Sequence, residues 1–109
     1  MRSAKSKGRG FQKFVATKIR ETFGLEERDV CSSPASVTGE DIILSERAKK
    51  VFPYSVEAKC SEQLNIWKAI EQSKSNSKGK EPLVIFKKNF NEPYVCIKLD
   101  SFLKLIKRC

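Results

Sequence analysis

Phe52-Pro53-Tyr54-Ser55-Val56-Glu57-Ala58-Lys59 is the stretch that decides how this chain folds. Proline cannot continue a helix, so the residues after Pro53 begin a strand. Strand side chains alternate between faces, so Val56 and Ala58 point one way and Glu57 and Lys59 the other. The apolar pair belongs to a core. The charged pair, set in a strand otherwise built for burial, calls for a chemical reason. Sixteen residues before Glu57, Asp41-Ile42-Ile43-Leu44 reads as a neighbouring strand that opens on a carboxylate.

Working outward, Phe11, Phe14, Val15, Ile19 and Phe23 recur at helical spacing and predict one apolar stripe, with Lys13, Lys18 and Arg20 on the exposed side. Gly24 stands where a glycine ends such a helix. Arg28 to Cys31 reads as a short first strand, and Ser32 to Gly39 as a turn-rich loop. Asp41 to Leu44 is the second strand. Ser45 can cap a short helical turn that Pro53 must stop. Tyr54 to Lys59 is the third strand. Ser61 to Lys74 predicts a second long helix with an apolar edge of Leu64, Trp67 and Ile70, Trp67 being assigned to the core in preference to a base-stacking platform. Residues 73–82 form a basic loop. Leu83 to Phe86 is a continuous apolar run, as in a strand covered on both faces. Asn89 to Pro93 turns the chain into a fifth strand, Tyr94 to Ile97, and Leu99 to Lys107 closes with an amphipathic helix. The order α-β-β-β-α-β-β-α predicts an α/β fold: a mixed five-stranded sheet flanked by helices, with antiparallel pairing among the first three strands.

The 109 residues suffice for one core, expected over 9–109 after a flexible basic arm at 1–8. A targeting presequence has a similar basic, acid-poor composition, but the stripe from Phe11 is needed for the core. No apolar run approaches the roughly 18 residues that span a bilayer. The net charge of +9 and pI near 9.6 favour a polyanionic partner, although a solvated basic helix face would also account for part of it. Histidine is absent, and Cys31, Cys60, Cys96 and Cys109 lack metal-ligand spacing, which argues against a Cys/His zinc site or a histidine-based triad. Four scattered cysteines are expected to be reduced thiols of a cytoplasmic protein.

One aspartate plus a Glu-x-Lys on an adjacent strand is a donor set suited to phosphodiester hydrolysis, which requires little beyond a divalent ion placed between a phosphate and a water. Asp41, Glu57 and the backbone carbonyl of Ala58 are the candidate ligands of Mg²⁺, for which Mn²⁺ is expected to substitute. A lysine ordinarily titrates at about 10.4, and two nearby carboxylates oppose its deprotonation. Lys59 is therefore assigned to orienting water and stabilising the phosphorane, in place of general-base work. A surface Glu-Lys pair with no chemistry is the bland alternative. Glu40 alternates away from Asp41 and is a further candidate ligand or a solvated loop residue.

These residues, with Lys7-Gly8-Arg9, Gly39-Glu40-Asp41-Ile42 and Trp67 through Gln72, resemble the PD-(D/E)xK nuclease superfamily and its restriction-endonuclease-like core. More narrowly they resemble the small Holliday-junction resolvases of archaea and their phage-encoded relatives, over roughly residues 7–106. The resemblance implies that Asp41 and Glu57 bind magnesium, that Lys59 is catalytic, and that Gln72 approaches the site from a helix. Where such resolvases carry an acid in the first helix, this chain has Gln12, and a loop serine that contributes in some relatives maps nearest to Ser36, with Ser32 and Ser33 behind it. The resemblance further implies a homodimer acting on branched double-stranded DNA, in the host cytoplasm if phage-encoded. Other nicking or flap nucleases of the superfamily, and a non-catalytic DNA-binding module on the same scaffold, are the competing expectations. Lys5, Lys7, Arg9, Lys13, Lys74, Lys78, Lys80, Lys87 and Lys88 are the candidate phosphate contacts; six made to duplex DNA would give a log–log salt slope of about −5.

Overall fold

The computed structural model describes residues 4–34 and 39–108, with side chains from Gly8 onward. Helix α1 runs Ala4–Phe23 and thus begins before Gly10, the expected start. Alanine and lysine at its first turns favour helix, so part of the expected arm is helical. Phe11, Val15, Ala16 and Ile19 are buried along one face, while Phe14 and Phe23, expected in the core, stay almost half exposed. Phe14 stacks on Phe11, and Phe23 leans on Phe52. Gly24, at φ 65°, ends the helix, and the Leu25 N–H donates to the Arg20 carbonyl at 2.9 Å in a Schellman closure. Arg20, expected on the exposed basic side, instead turns inward and donates to the Val30 carbonyl and to Thr17 Oγ1.

Strands β1 (Val30–Ser32) and β2 (Ile42–Leu44) pair antiparallel. Val30, Ile42 and Leu44 bury themselves against α1, while Ile43 faces outward, the alternation of a half-buried strand. A short helix, α2 (Glu46–Val51), follows, capped by Ser45 Oγ accepting from the Ala48 N–H. The same hydroxyl donates to Asp29 Oδ1 at 2.8 Å, and the Ser45 N–H donates to the Asp29 carbonyl. Asp29 thereby ties the start of β1 to the start of α2. Its carboxyl is held below the ordinary aspartate value, chiefly by the Glu26 N–H and then by Ser45.

Strand β3 (Tyr54–Cys60) pairs parallel with β4 (Glu81–Lys87) across helix α3 (Ile66–Ser75), and β4 pairs antiparallel with β5 (Tyr94–Ile97). The chain closes with α4 (Leu99–Arg108). The class is α/β with mixed strand directions, but the described residues form two sheets, β1-β2 and β3-β4-β5, in place of the expected single sheet of five. The break falls at Asp41, which donates its N–H to the Val56 carbonyl while its own carbonyl accepts from Ser33 on the β1 side. Its backbone therefore turns between the two sheets, and no ladder forms between β2 and β3. Pairing among the first three strands is accordingly limited to β1 and β2.

The faces of the larger sheet differ. Val56, Ala58 and Leu83 join the α1 core, with Tyr54, Cys60, Ile85 and Ile97 at its margin. The opposite face, carrying Ser55, Glu57 and Lys59, lies under α3, whose small residues Ala69 and Ser73 allow close approach. Helix α3 starts at Ile66, five positions after its expected first residue, Ser61, because the Asn65 side chain caps it by accepting the Lys68 N–H. Trp67 is 74% exposed, contrary to its expected place in the core, because the helix turns Ala69 and Ser73 onto the sheet instead. Ser73 Oγ accepts from the Leu83 N–H and donates to the Ser55 carbonyl, both at 3.0 Å, fastening α3 to the β3–β4 seam. No helix among the described residues is long and apolar enough to cross a membrane.

Ser45→Ala removes a helix cap and strips Asp29 Oδ1 of its partner. It is expected to cost about 1–2 kcal/mol, read as a lower urea midpoint with an unchanged m-value; an unchanged midpoint would show that this link carries no stability.

Candidate active site

Asp41, Glu57 and Lys59 converge at the outer edge of β3. Because Val56 points its backbone groups toward Asp41, Ala58, two residues on, does so too. Asp41 Oδ2 accepts the Ala58 N–H at 2.7 Å. Glu57 and Lys59 share the α3-covered face, as expected from their spacing, and Lys59 Nζ lies 3.0 Å from Glu57 Oε2. Glu57 is only 5% exposed, an unusual position for a glutamate. The two carboxylates sense each other. Asp41 is raised to about 6, first by desolvation and further by the charge of Glu57, against the lowering effects of the Ala58 N–H and of Lys59.

This donor set fits a hydrated divalent ion. Asp41 Oδ1 and Glu57 Oε1 accept no hydrogen bond among the described residues, and no buried side-chain oxygen is left without a partner. Neither oxygen is committed to a donor among the described residues, and the charge of Glu57 bears on Asp41. The Ala58 carbonyl projects toward the same edge, since the N–H and C=O of one strand residue point to the same side. Two carboxylate oxygens and one carbonyl leave room for the several waters that Mg²⁺ retains. Among the described residues, no third acidic, cysteine or histidine side chain completes a metal cluster.

The other expected site residues are placed differently. Glu40 forms a half-buried ion pair with Lys80, so the candidate third ligand and a candidate phosphate contact are paired with each other. Gln12 is half-buried in α1 and makes no hydrogen bond to either carboxylate. Gln72 is exposed and likewise has no hydrogen bond to them. It lies one turn before Asn76, whose amide donates to the Gly39 carbonyl, so its helical stripe runs along the edge where Asp41 enters. Lys68, one turn before Gln72, shares that stripe and was not singled out from the sequence; the four-residue spacing to Gln72 was the available signal. Ser36 and the side chains of Lys5 and Lys7 lie outside the described residues.

Of the remaining cations, Arg9, Lys13, Lys78 and Lys88 are exposed, Lys87 is half-exposed, and Lys74 is exposed with its ammonium 3.9 Å from Glu71. Beside Glu40, a cleft of about 470 Å³ is lined by Gly39, Lys49, Lys78 and Lys80. Lys49 is a cation the sequence did not single out. Cys31, Cys60 and Cys96 are free thiols. Comparison of the chain with protein-family models, with curated proteins and with solved structures finds no match. The functional reading therefore rests on the geometry of Asp41, Glu57 and Lys59.

A raised carboxyl has a definite effect on stability. With both states protonated, below the ordinary aspartate value, burying Asp41 costs no charge. As pH rises through that value to the folded value of about 6, the unfolded chain ionises first and the fold loses stability. In EDTA, Asp41→Asn, which keeps an oxygen for the Ala58 N–H, should therefore be more stable than the parent at pH 8 by on the order of 1 kcal/mol after allowance for solvent screening. The gap should close between pH 6 and 4; a gap independent of pH would exclude a desolvated Asp41 charge as its cause.

Proposed function

We propose that this protein is a Mg²⁺-dependent endonuclease that nicks branched DNA, with the four-way junction as its preferred substrate. The observation that carries the reading is the pair of recessed, mutually repelling carboxylates, Asp41 and Glu57, with the Lys59 ammonium beside them. Bound there, a divalent ion would supply Lewis-acid polarisation of the phosphate and a more acidic water. Asp41 Oδ1, Glu57 and the Ala58 carbonyl would hold the ion. The Ala58 N–H fixes the orientation of Asp41. Lys59, anchored by Glu57, would orient the attacking water and stabilise the added negative charge on the phosphoryl oxygens. Gln72 and Lys68 flank the approach from α3.

The cations support a DNA track. Lys78 precedes β4 and Lys87-Lys88 end it, so they bracket the seven-residue strand, about 20 Å long at roughly 3.3 Å per residue. That span corresponds to about six phosphates of one strand. No sequence motif here resembles a base-reading one, so affinity is assigned to backbone contacts and shape.

A symmetric junction offers two equivalent cleavage points, which two copies of the chain would match. Leu99, Phe102, Leu103 and Ile106 form one stripe of α4, each between 47% and 69% exposed, and only Ser101 of that helix is buried. Contiguous apolar exposure of this kind marks an interaction surface. Its proposed occupant is a second copy. Phe102→Glu with Ile106→Glu should halve the mass measured by sedimentation; a parent that is already monomeric at micromolar concentration would remove the dimer from the proposal.

The enzymatic reading is tested with labelled four-way junction, flap and linear duplex, in Mg²⁺ or EDTA. Paired nicks on the junction, abolished by EDTA, are expected. Glu57→Gln and Asp41→Asn should each slow cleavage by about 100-fold or more while retaining junction binding. Cleavage of all three DNAs alike would leave an endonuclease without junction preference. Tight binding with no cleavage in either Mg²⁺ or Mn²⁺ would leave only a DNA-binding module.

A further inference from the structure

The register of the larger sheet puts two aromatic rings in line with Lys59. Lys59 pairs with Phe86 across the parallel ladder, and Phe86 pairs with Tyr94 across the antiparallel one. Paired residues share a face, so Lys59, Phe86 and Tyr94 form one row on the side covered by α3, each about 5 Å from the next. Helix α3 begins only at Ile66, and its buried contacts fall further along, at Ala69 and Ser73. Phe86 therefore remains half-exposed and Tyr94 is 62% exposed. Leu64 and Ile66 form the opposite wall of a cleft of about 520 Å³ over these rings. Lys87 and Lys88 line its rim, with Asn91 and Glu92 of the β4–β5 turn closing the far side.

An aromatic floor with a cationic rim is the arrangement that binds an unpaired base. The ring stacks on the base, the lysines attract its flanking phosphates, and no particular base is demanded because every base has a π-face. The volume falls within the ordinary range of small-ligand pockets and exceeds what one ring system needs. The position completes the argument. The row starts at Lys59, so a base in the cleft belongs to a nucleotide next to whatever phosphate Lys59 contacts.

We propose that the cleft of Leu64, Ile66, Phe86 and Tyr94 binds one unpaired nucleobase of the DNA strand whose phosphate reaches Lys59. This rests on the reading of Asp41, Glu57 and Lys59 as a phosphodiester site, and it deepens that reading. Selection of branched over continuous duplex DNA then has a local cause, since bases at a branch point leave their stack at lower cost than bases within a continuous duplex.

The test is made in EDTA, where cleavage plays no part. Two DNAs of equal length are compared, one fully paired and one with a splayed fork bearing 2-aminopurine at the first unpaired position. The parent is expected to bind the fork more tightly and to quench the 2-aminopurine. Tyr94→Ala should lower fork affinity by about tenfold, leave duplex affinity unchanged and abolish the quenching, whereas Tyr94→Phe should behave as the parent. Lys87→Ala with Lys88→Ala should weaken both DNAs together. Equal loss on fork and duplex in Tyr94→Ala, or parental quenching in that variant, overturns the proposal. So does a Tyr94→Ala protein that binds both DNAs normally but no longer self-associates, which would place a second chain on the cleft. A parent that shows the fork preference but never cleaves in Mg²⁺ would sustain the cleft and refute the hydrolytic reading. A parent that cleaves, with Tyr94→Ala keeping full fork discrimination, would do the reverse, and absence of any DNA binding would refute both.

Discussion

The two bonds by which Asp41 grips the edge of β3 are the constraint on which the rest of the structure depends. Its N–H reaches the Val56 carbonyl and its carboxylate takes the Ala58 N–H. In a continuous sheet, a neighbouring strand's carbonyl would receive that N–H. Here a side-chain oxygen takes its place, so the sheet stops and a carboxylate is fixed where backbone would otherwise lie. The same substitution divides five strands into two sheets and delivers a charge to the strand edge. It also carries a cost. A carboxylate anchored at that edge is partly desolvated, with Glu57 nearby, and the raised affinity of Asp41 for a proton measures the conflict. Sites that place like charges together in a recess commonly do so for chemistry.

Division of labour between the faces of β3 makes that conflict tolerable. Val56 and Ala58 contribute to the apolar core with α1, β1 and β2, which has no polar work to do. The α3 face is held by hydrogen bonds as much as by packing, through Ser73 at the β3–β4 seam and Asn76 to Gly39. Small residues at 69 and 73 bring the helix down on the sheet at one end. The other end is left uncovered, and there Lys59, Phe86 and Tyr94 reach solvent. A larger residue at Ala69 or Ser73 would lift the helix and change the recess around Glu57.

Much of this was legible because it depends on local chemistry. Proline at 53, glycine at 24 and the two-residue alternation of β3 have only local solutions, and Glu57 and Lys59 share a face for the same reason. What was illegible depended on choices between partners. Glu40 and Asp41 are adjacent acids, and nothing local says that Lys80, forty positions away, takes the first. Arg20 reads as an exposed cation until the start of β1 supplies the Val30 carbonyl. Trp67 and Ala69 compete for the sheet side of one helix, and the smaller residue won because its helix also had to seat Ser73 on the seam. The row from Lys59 to Tyr94 needed two registers at once, and sequence periodicity supplies neither.

The arrangement of charge follows from the same geometry. A chain of net charge +9 would be expected to neutralise its acids wherever they lie, and Glu26, Glu40, Glu46 and Glu71 are indeed each met by a cation. At Asp41 and Glu57, Lys59 is the one cation in reach among the described residues, so there two negative charges share one positive charge. Nearby cations sit at or beyond the ends of β4, at Lys78 on one side and at Lys87 and Lys88 on the other. A polyanion reaching from those cations toward Asp41 and Glu57 meets their residual negative charge, which opposes it unless something of opposite sign intervenes. A divalent cation between the carboxylates and a phosphate would remove that repulsion, and the pattern of charge thus supports the proposed pairing of a metal with a phosphodiester without appeal to any resemblance.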